Sequence, residues 1–169
     1  MMLIRVIAAL LFTAAGGAFG CMRSEQLRRR TEVCHQAEEL MRVCEFHIRY
    51  DSADVYALSG LLKNSGSFGR LSFIQGLPAE FEPEQSFSSS WSAALHTQPE
   101  LPDDEREILT RFGSVLGSAD TEGQIRQIEV LIGELERLED RRMEEYLRKG
   151  KLYRSLGLLT GVLAAVLVL

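Results

Sequence analysis

The sequence predicts an all-α fold, an antiparallel bundle of about six helices with a transmembrane helix at each terminus. Apolar residues recur at intervals of three and four along most of the chain, which is helical spacing, and no segment shows the alternation of a strand. The chain begins and ends with an apolar run. The region between these runs contains all 24 acidic residues and every Lys and Arg of the chain except Arg5. We expect an N-terminal transmembrane helix (1–22), a cytoplasmic bundle (23–154) and a C-terminal transmembrane segment (155–169).

The first apolar run is long enough for a membrane span, because a helix over residues 1–22 covers about 33 Å and the bilayer core is roughly 30 Å thick. Two alternatives are a cleaved signal peptide with Ala18-Phe19-Gly20 at its end, and a lipoprotein whose mature N-terminus is Cys21. Basic residues follow this run and also precede the second one. Because Lys and Arg mark the cytoplasmic side of a span, both junctions favour two anchors with the central region in the cytoplasm.

The second run, residues 155–169, covers only about 22 Å as a helix, which is short for a full span. Residues 151–154 add one turn, with Tyr153 suited to the membrane interface. Each run contains two glycines four residues apart, a spacing that lets helix backbones approach closely in lipid. Glycine is also common in membrane helices, so the spacing has an ordinary explanation as well. We predict that the helices pack together at Gly16, Gly20, Gly157 and Gly161.

The central region divides into helices at its breakers. The first helix continues from the first span to Tyr50, and Asp51-Ser52 is predicted to cap a second helix that stops at 64–66. A short third helix is expected over 68–75, followed by an extended loop over 77–86.

A helix over 87–95 carries Trp91. Pro102, placed in the first turn, opens the next helix. Thr121-x-x-Gln124 fits a capping box, from which the last helix runs into the membrane.

The sequence offers no catalytic, metal or cofactor site. Cys44-x-x-His47 could place two metal ligands on one helix, but it has no third ligand nearby. Acids of the last helix alternate with arginines, as on a solvated face. The net charge of −5 disfavours nucleic-acid binding. We therefore expect a protein that is not an enzyme and that has no cofactor, metal or small-molecule substrate.

The most distinctive stretch is the turn between the last two helices, called here the corner: Phe112, Gly113, Leu116, Gly117, Ser118, Asp120 and Gln124. It resembles the stage III sporulation protein AB family. The ending 151–157, the helix over 26–50 and the Trp91-x-x-Ala94-Leu95 segment are also similar to that family, although 51–55 and 76–90 depart from it.

The resemblance implies a non-enzymatic scaffold in the channel complex between mother cell and forespore, needed for endospore formation. It implies location in the outer forespore membrane, with the bundle in the mother-cell cytoplasm. The family is related in fold to the cytoplasmic domains of type II secretion and type IV pilus platform proteins. The expected partners are the bilayer and other stage III sporulation A proteins, including the AA ATPase. The alternative is a membrane-tethered regulator or adaptor that binds a soluble signalling partner.

The corner itself has two interpretations. It is either a tight helix–turn–helix junction that needs Gly113 for packing and Gly117 for its backbone conformation, or a docking surface for a partner. Loss of partner binding without a change in melting, after Asp120→Ala, would favour docking.

Overall fold

A computed structural model describes the backbone of residues 2–81, 85–117 and 120–168, and the side chains of these residues except 2–6, 9, 167 and 168. The described residues form no strand, so the all-helical fold class is confirmed. Within them, five α-helices and one 3-10 helix make up the predicted set of about six: α1 (Met2–Asp51), α2 (Val55–Asn64), the 3-10 helix (Ser72–Gly76), α3 (Phe87–His96), α4 (Asp103–Val115) and α5 (Thr121–Val168).

The chain forms two compact units. One contains residues 1–31 and 140–169, and the other contains residues 32–139. In the part of the chain that the structure describes, no helix has a stretch that is both long and apolar enough to cross a membrane. The two transmembrane segments therefore stay predictions.

Within the unit of residues 32–139, α1 and α5 run antiparallel. Arg42 pairs with Glu136, and Arg49 pairs with Glu129 at 2.6 Å, so residue numbers rise on one helix as they fall on the other. Both helices turn an apolar face to a common core with the shorter helices. The α1 and α5 residues of that core are Val33, Cys34, Ala37, Leu40, Met41, Cys44, Ile48, Ile128, Leu131, Ile132, Leu135 and Leu138.

The centre of the core is aromatic. Trp91 on α3 is fully buried, and its ring lies edge-on to Phe73 and Phe112 at centroid distances of 5.2 and 5.5 Å. Its Nε1–H donates a 2.8 Å hydrogen bond to the carbonyl oxygen of Leu109. A buried indole therefore keeps its one polar group satisfied while its rings fill the space between three elements.

Side chains also satisfy the backbone of the connecting segments. The buried Gln98 accepts from the Phe73 amide at 3.2 Å and donates to the Arg70 carbonyl at 2.7 Å. Arg106 donates to the carbonyl oxygens of Leu95, Gln98 and Leu101 at 2.7 to 3.0 Å. Buried backbone groups need such partners, so these two side chains fix the segments before and after α3.

Three predicted helix boundaries were wrong. The α2 helix is capped by Asp54, whose Oδ1 accepts from the amides of Tyr56 and Ala57 at 2.8 Å, and not by Asp51-Ser52. Pro102 precedes α4 at its N-cap, with an extended ψ of 151°, and is not in its first turn. The third helix is a 3-10 helix over 72–76, shorter than the predicted segment.

Candidate functional site

The paired glycines bring two backbones into contact within the unit of residues 1–31 and 140–169. A Cβ added to Gly16 would lie 2.5 Å from the carbonyl oxygen of Gly157, and one added to Gly157 would lie 2.5 Å from that of Gly16. Gly20 is equally close to the Tyr153 carbonyl, and Gly161 is close to Phe12. Real Cβ atoms do not approach backbone so closely, so this antiparallel contact requires glycine at all four positions.

A polar contact follows the glycines along the same pair of helices. The Ser24 side chain is buried, and its hydroxyl accepts a 3.0 Å hydrogen bond from Nε of Arg154. A Cβ at Gly150 would lie 3.2 Å from that hydroxyl. The helices therefore stay close from the glycines as far as Gly150.

At the corner, Gly113 makes room for the buried tryptophan. A Cβ at this position would overlap the indole ring of Trp91, so only glycine lets α4 pack directly against it. Phe112, the preceding residue, is fully buried and packs edge-on against the same ring. These two residues of the predicted motif therefore form part of the core.

The turn after α4 depends on a left-handed residue. The amide of Leu116 donates to the Phe112 carbonyl at 3.1 Å and ends the helix, and Leu116 itself is buried. Gly117 follows with φ at +82°, a conformation that costs little only for glycine. Ser118, also predicted as part of the motif, lies outside the described residues.

The first turn of α5 is closed by Asp120 rather than by Thr121, which is already helical. The Asp120 carbonyl accepts from the Gln124 amide at 2.9 Å, and its carboxylate lies where a Cβ at Gly123 would be. Gln124 is buried. Thr121 is therefore not the N-cap of the predicted capping box, and Gly123, which has no side chain, leaves room for the Asp120 carboxylate.

A groove of about 250 Å³ lies beside the corner. Ile48 and residues 52–55 line one side, and Gly117, Thr121 and Gln124 line the other. Ser52 in this groove has a φ of +49°, which is unusual for a residue other than glycine. The groove connects the corner with the segment between α1 and α2, a relation that spacing along the sequence did not reveal.

The structure does not favour metal binding by the Cys44-x-x-His47 pair. Cys44 is fully buried, and burial raises the pKa of its thiol to about 12, so it stays protonated and is a poor metal ligand. His47 Nδ1 contacts Asp51 at 2.5 Å. The structure brings together a different set of possible metal ligands, which the sequence did not reveal: His35 and Glu38 on α1 lie close to Glu139 of α5.

These features define an all-helical protein in which the distinctive residues pack helices together. Glycines form a contact between two long helices, and the corner is built on a tryptophan, two glycines and an aspartate. The chain belongs to the family described as stage III sporulation protein AB, whose model matches residues 5–169. Membership implies a role in stage III sporulation. Comparisons with curated proteins and with solved structures gave no match.

Proposed function

We propose that this protein is a non-enzymatic scaffold of the mother cell–forespore channel complex, anchored in the outer forespore membrane. Its bundle lies in the mother-cell cytoplasm and links the AA ATPase to the membrane assembly. The observation that carries the proposal is the family match over almost the whole chain. The described residues add a site built from packing contacts, which suits a scaffold.

The glycine contact supports the two-anchor part of the proposal. In lipid the hydrophobic effect does not drive helices together, so close backbone approach through small residues takes its place. Gly16 and Gly157 each lie against the other's carbonyl oxygen, and the exposed side chains near them are mainly apolar, as in Leu10, Leu11 and Leu163. An apolar outer surface around a tight glycine contact fits a pair of helices in a bilayer.

Membrane anchoring is tested with a matched pair of glycine substitutions in the full chain. Gly157→Ile forces the contact apart, whereas a Cβ at Gly17 meets nothing within 4 Å, so Gly17→Ile serves as the control. We expect carbonate-resistant membrane association of the wild type and a lower melting temperature in detergent for Gly157→Ile only. Extraction of the wild type by carbonate would contradict the anchors, and an intact mass shortened to begin at Cys21 would indicate a lipoprotein.

The groove supports a docking role for the corner. It joins the family's most distinctive stretch to the α1–α2 connection, and Thr121 in its wall is exposed. A partner that enters the groove would contact both. Thr121→Arg would fill the groove without disturbing the core.

The docking test uses an identical substitution elsewhere as its control. Thr110 is an exposed helical threonine of α4 that does not line the groove, so Thr110→Arg adds the same side chain at a neutral position. We expect wild type and Thr110→Arg to capture the AA ATPase from detergent-solubilised sporulating cells and Thr121→Arg to lose it, with all three melting alike. Equal capture by Thr121→Arg would remove the groove from the interface, and no capture by the wild type would contradict the scaffold.

A substitution at Asp120 distinguishes a docking role of the corner from a purely structural one. Ser86→Ala removes the side-chain N-cap of α3, away from the groove, at a cost of about 1 kcal/mol. Asp120→Ala removes the carboxylate that lies beside Gly123 in the first turn of α5. If the corner docks the ATPase, Asp120→Ala reduces capture more than Ser86→Ala at equal loss of melting temperature. Equal capture by both variants would show that Asp120 acts only in the local structure of the turn.

A further inference from the structure

Three possible metal ligands converge between α1 and α5 in the unit of residues 32–139. His35 and Glu38 are three residues apart and therefore share one face of α1. The Nδ1 atom of His35 lies 3.1 Å from Oε1 of Glu139, which reaches across from α5. One donor atom from each of the three side chains lies within 4.8 Å of the other two.

The two carboxyl groups differ from ordinary surface acids. Their side chains are only 15% and 22% exposed for Glu38 and Glu139. Both carboxyl groups are therefore largely shielded from solvent, and both lie within reach of the same imidazole.

We propose that His35, Glu38 and Glu139 form a binding site for a divalent transition-metal ion, best suited to Zn²⁺. Two carboxylate oxygens and one imidazole nitrogen are all common zinc ligands, and a water molecule completes the tetrahedral set.

The geometry needs little adjustment to bind zinc. Ligand atoms around a tetrahedral zinc lie about 3.3 Å apart, given bonds of about 2.0 Å. The 63% exposed His35 side chain has room to rotate toward the carboxylates. Arg42 donates to Oε1 of Glu38 at 2.6 Å and also contacts Glu136, so a metal ion would be bound through the other oxygen of Glu38.

The donor set also argues against the harder divalent ions. Mg²⁺ and Ca²⁺ prefer six or more oxygen ligands, whereas a histidine nitrogen suits zinc and its first-row neighbours. Because the ligands come from α1 and α5, the bound ion would join the two helices. We expect zinc to raise the melting temperature by roughly 5–10 °C at 100 times its dissociation constant.

The test uses isothermal titration of the full-length chain, without an affinity tag and in a Cys21→Ser background, with zinc chloride as the probe. Co²⁺ then replaces zinc, because its visible spectrum distinguishes oxygen and nitrogen ligands from thiolate. We expect one zinc ion per chain, a tetrahedral Co²⁺ spectrum without thiolate bands, and no comparable effect of Mg²⁺.

Matched variants locate the site. His35→Gln and Glu139→Gln should each weaken zinc binding by at least about 10-fold. His47→Gln and Glu129→Gln serve as controls, since both side chains lie on the same two helices, pair with Asp51 and Arg49, and do not belong to the ligand set. The proposal is overturned if zinc does not bind, if His35→Gln binds as tightly as His47→Gln, or if the Co²⁺ spectrum shows thiolate ligands.

Discussion

Gly113→Ala should destabilise the protein, although alanine is the better helix former. The new Cβ would overlap the indole of Trp91, which is fully buried and bonded to the Leu109 carbonyl at 2.8 Å. The indole cannot move away without displacing Phe73 or Phe112, which contact it edge-on.

The magnitude follows from three terms. Overpacking a core costs typically 1–3 kcal/mol, and weakening the indole hydrogen bond costs about 1 kcal/mol. Replacing a helical glycine by alanine returns about 1 kcal/mol. The net loss for Gly113→Ala is therefore about 1–3 kcal/mol, which corresponds to a fall in melting temperature of roughly 2–12 °C for a chain of this size.

Gly133→Ala is the matched control, because Gly133 lies in the middle of α5 and a Cβ there meets nothing within 4 Å. It should stabilise the protein by up to about 1 kcal/mol. The assay is thermal denaturation followed by circular dichroism, with tryptophan fluorescence as a second probe, since the chain has one tryptophan. If Gly113→Ala melted at or above the temperature of Gly133→Ala, the close packing at the corner would be refuted.

Two further predictions concern ionisable groups. Cys44 should resist N-ethylmaleimide in the folded protein while the exposed Cys21 reacts. Because burial raises the pKa of Cys44 to about 12, its contribution to stability should be full below about pH 8.5 and decline toward pH 12, which denaturation of wild type and Cys44→Ala across that range measures. Arg111 donates a hydrogen bond to Glu134 and lowers the pKa of the Glu134 carboxyl. This pair therefore stabilises the fold at pH values above the ordinary pKa of glutamate, and the stabilisation is lost as the pH falls through the lowered pKa. Arg111→Gln should cost about 0.2–1 kcal/mol at pH 7 and nothing at acid pH or in high salt, and an unchanged difference at low pH would contradict the assignment.

The fold class and much of the core could be predicted because helical spacing determines which residues share a face. The stripe from Val33 to Ile48 is buried as a face of α1, and Trp91 lies at the centre of the core. Gly117 has the left-handed conformation that its place after a helix suggested. These features depend on neighbours along the chain, which a sequence displays directly.

Helix starts were less predictable because several residues compete to cap. Asp51, Ser52 and Asp54 can each accept an amide hydrogen bond, and only the path of the chain after α1 selects Asp54. Similarly, Asp120 and Thr121 are adjacent candidates, and the space above Gly123 accommodates the aspartate. Local propensity predicts which types of residue begin a helix, but it does not predict which of two adjacent candidates does so.

The His35–Glu139 contact was missed for a different reason, which concerns the register of α1 against α5. Arg42 and Arg49 pair with Glu136 and Glu129, and the members of each set are seven residues apart. Glu122 lies a further seven residues before Glu129, so a slip of α5 by seven residues would pair the arginines with Glu129 and Glu122 equally well. Charge spacing alone therefore allows both registers.

The short helices decide between these registers. Arg111 of α4 contacts Glu134 of α5, and only residues 116–120 join the two helices. In this register Glu139 faces His35, and it is one of the acids that the sequence assigned to a solvated face. A slip by seven residues would place Ile132 opposite His35 instead, and an isoleucine cannot bind a metal ion. The proposed zinc site therefore depends on the contact between α4 and α5, because the register that this contact selects also brings the third ligand to the other two.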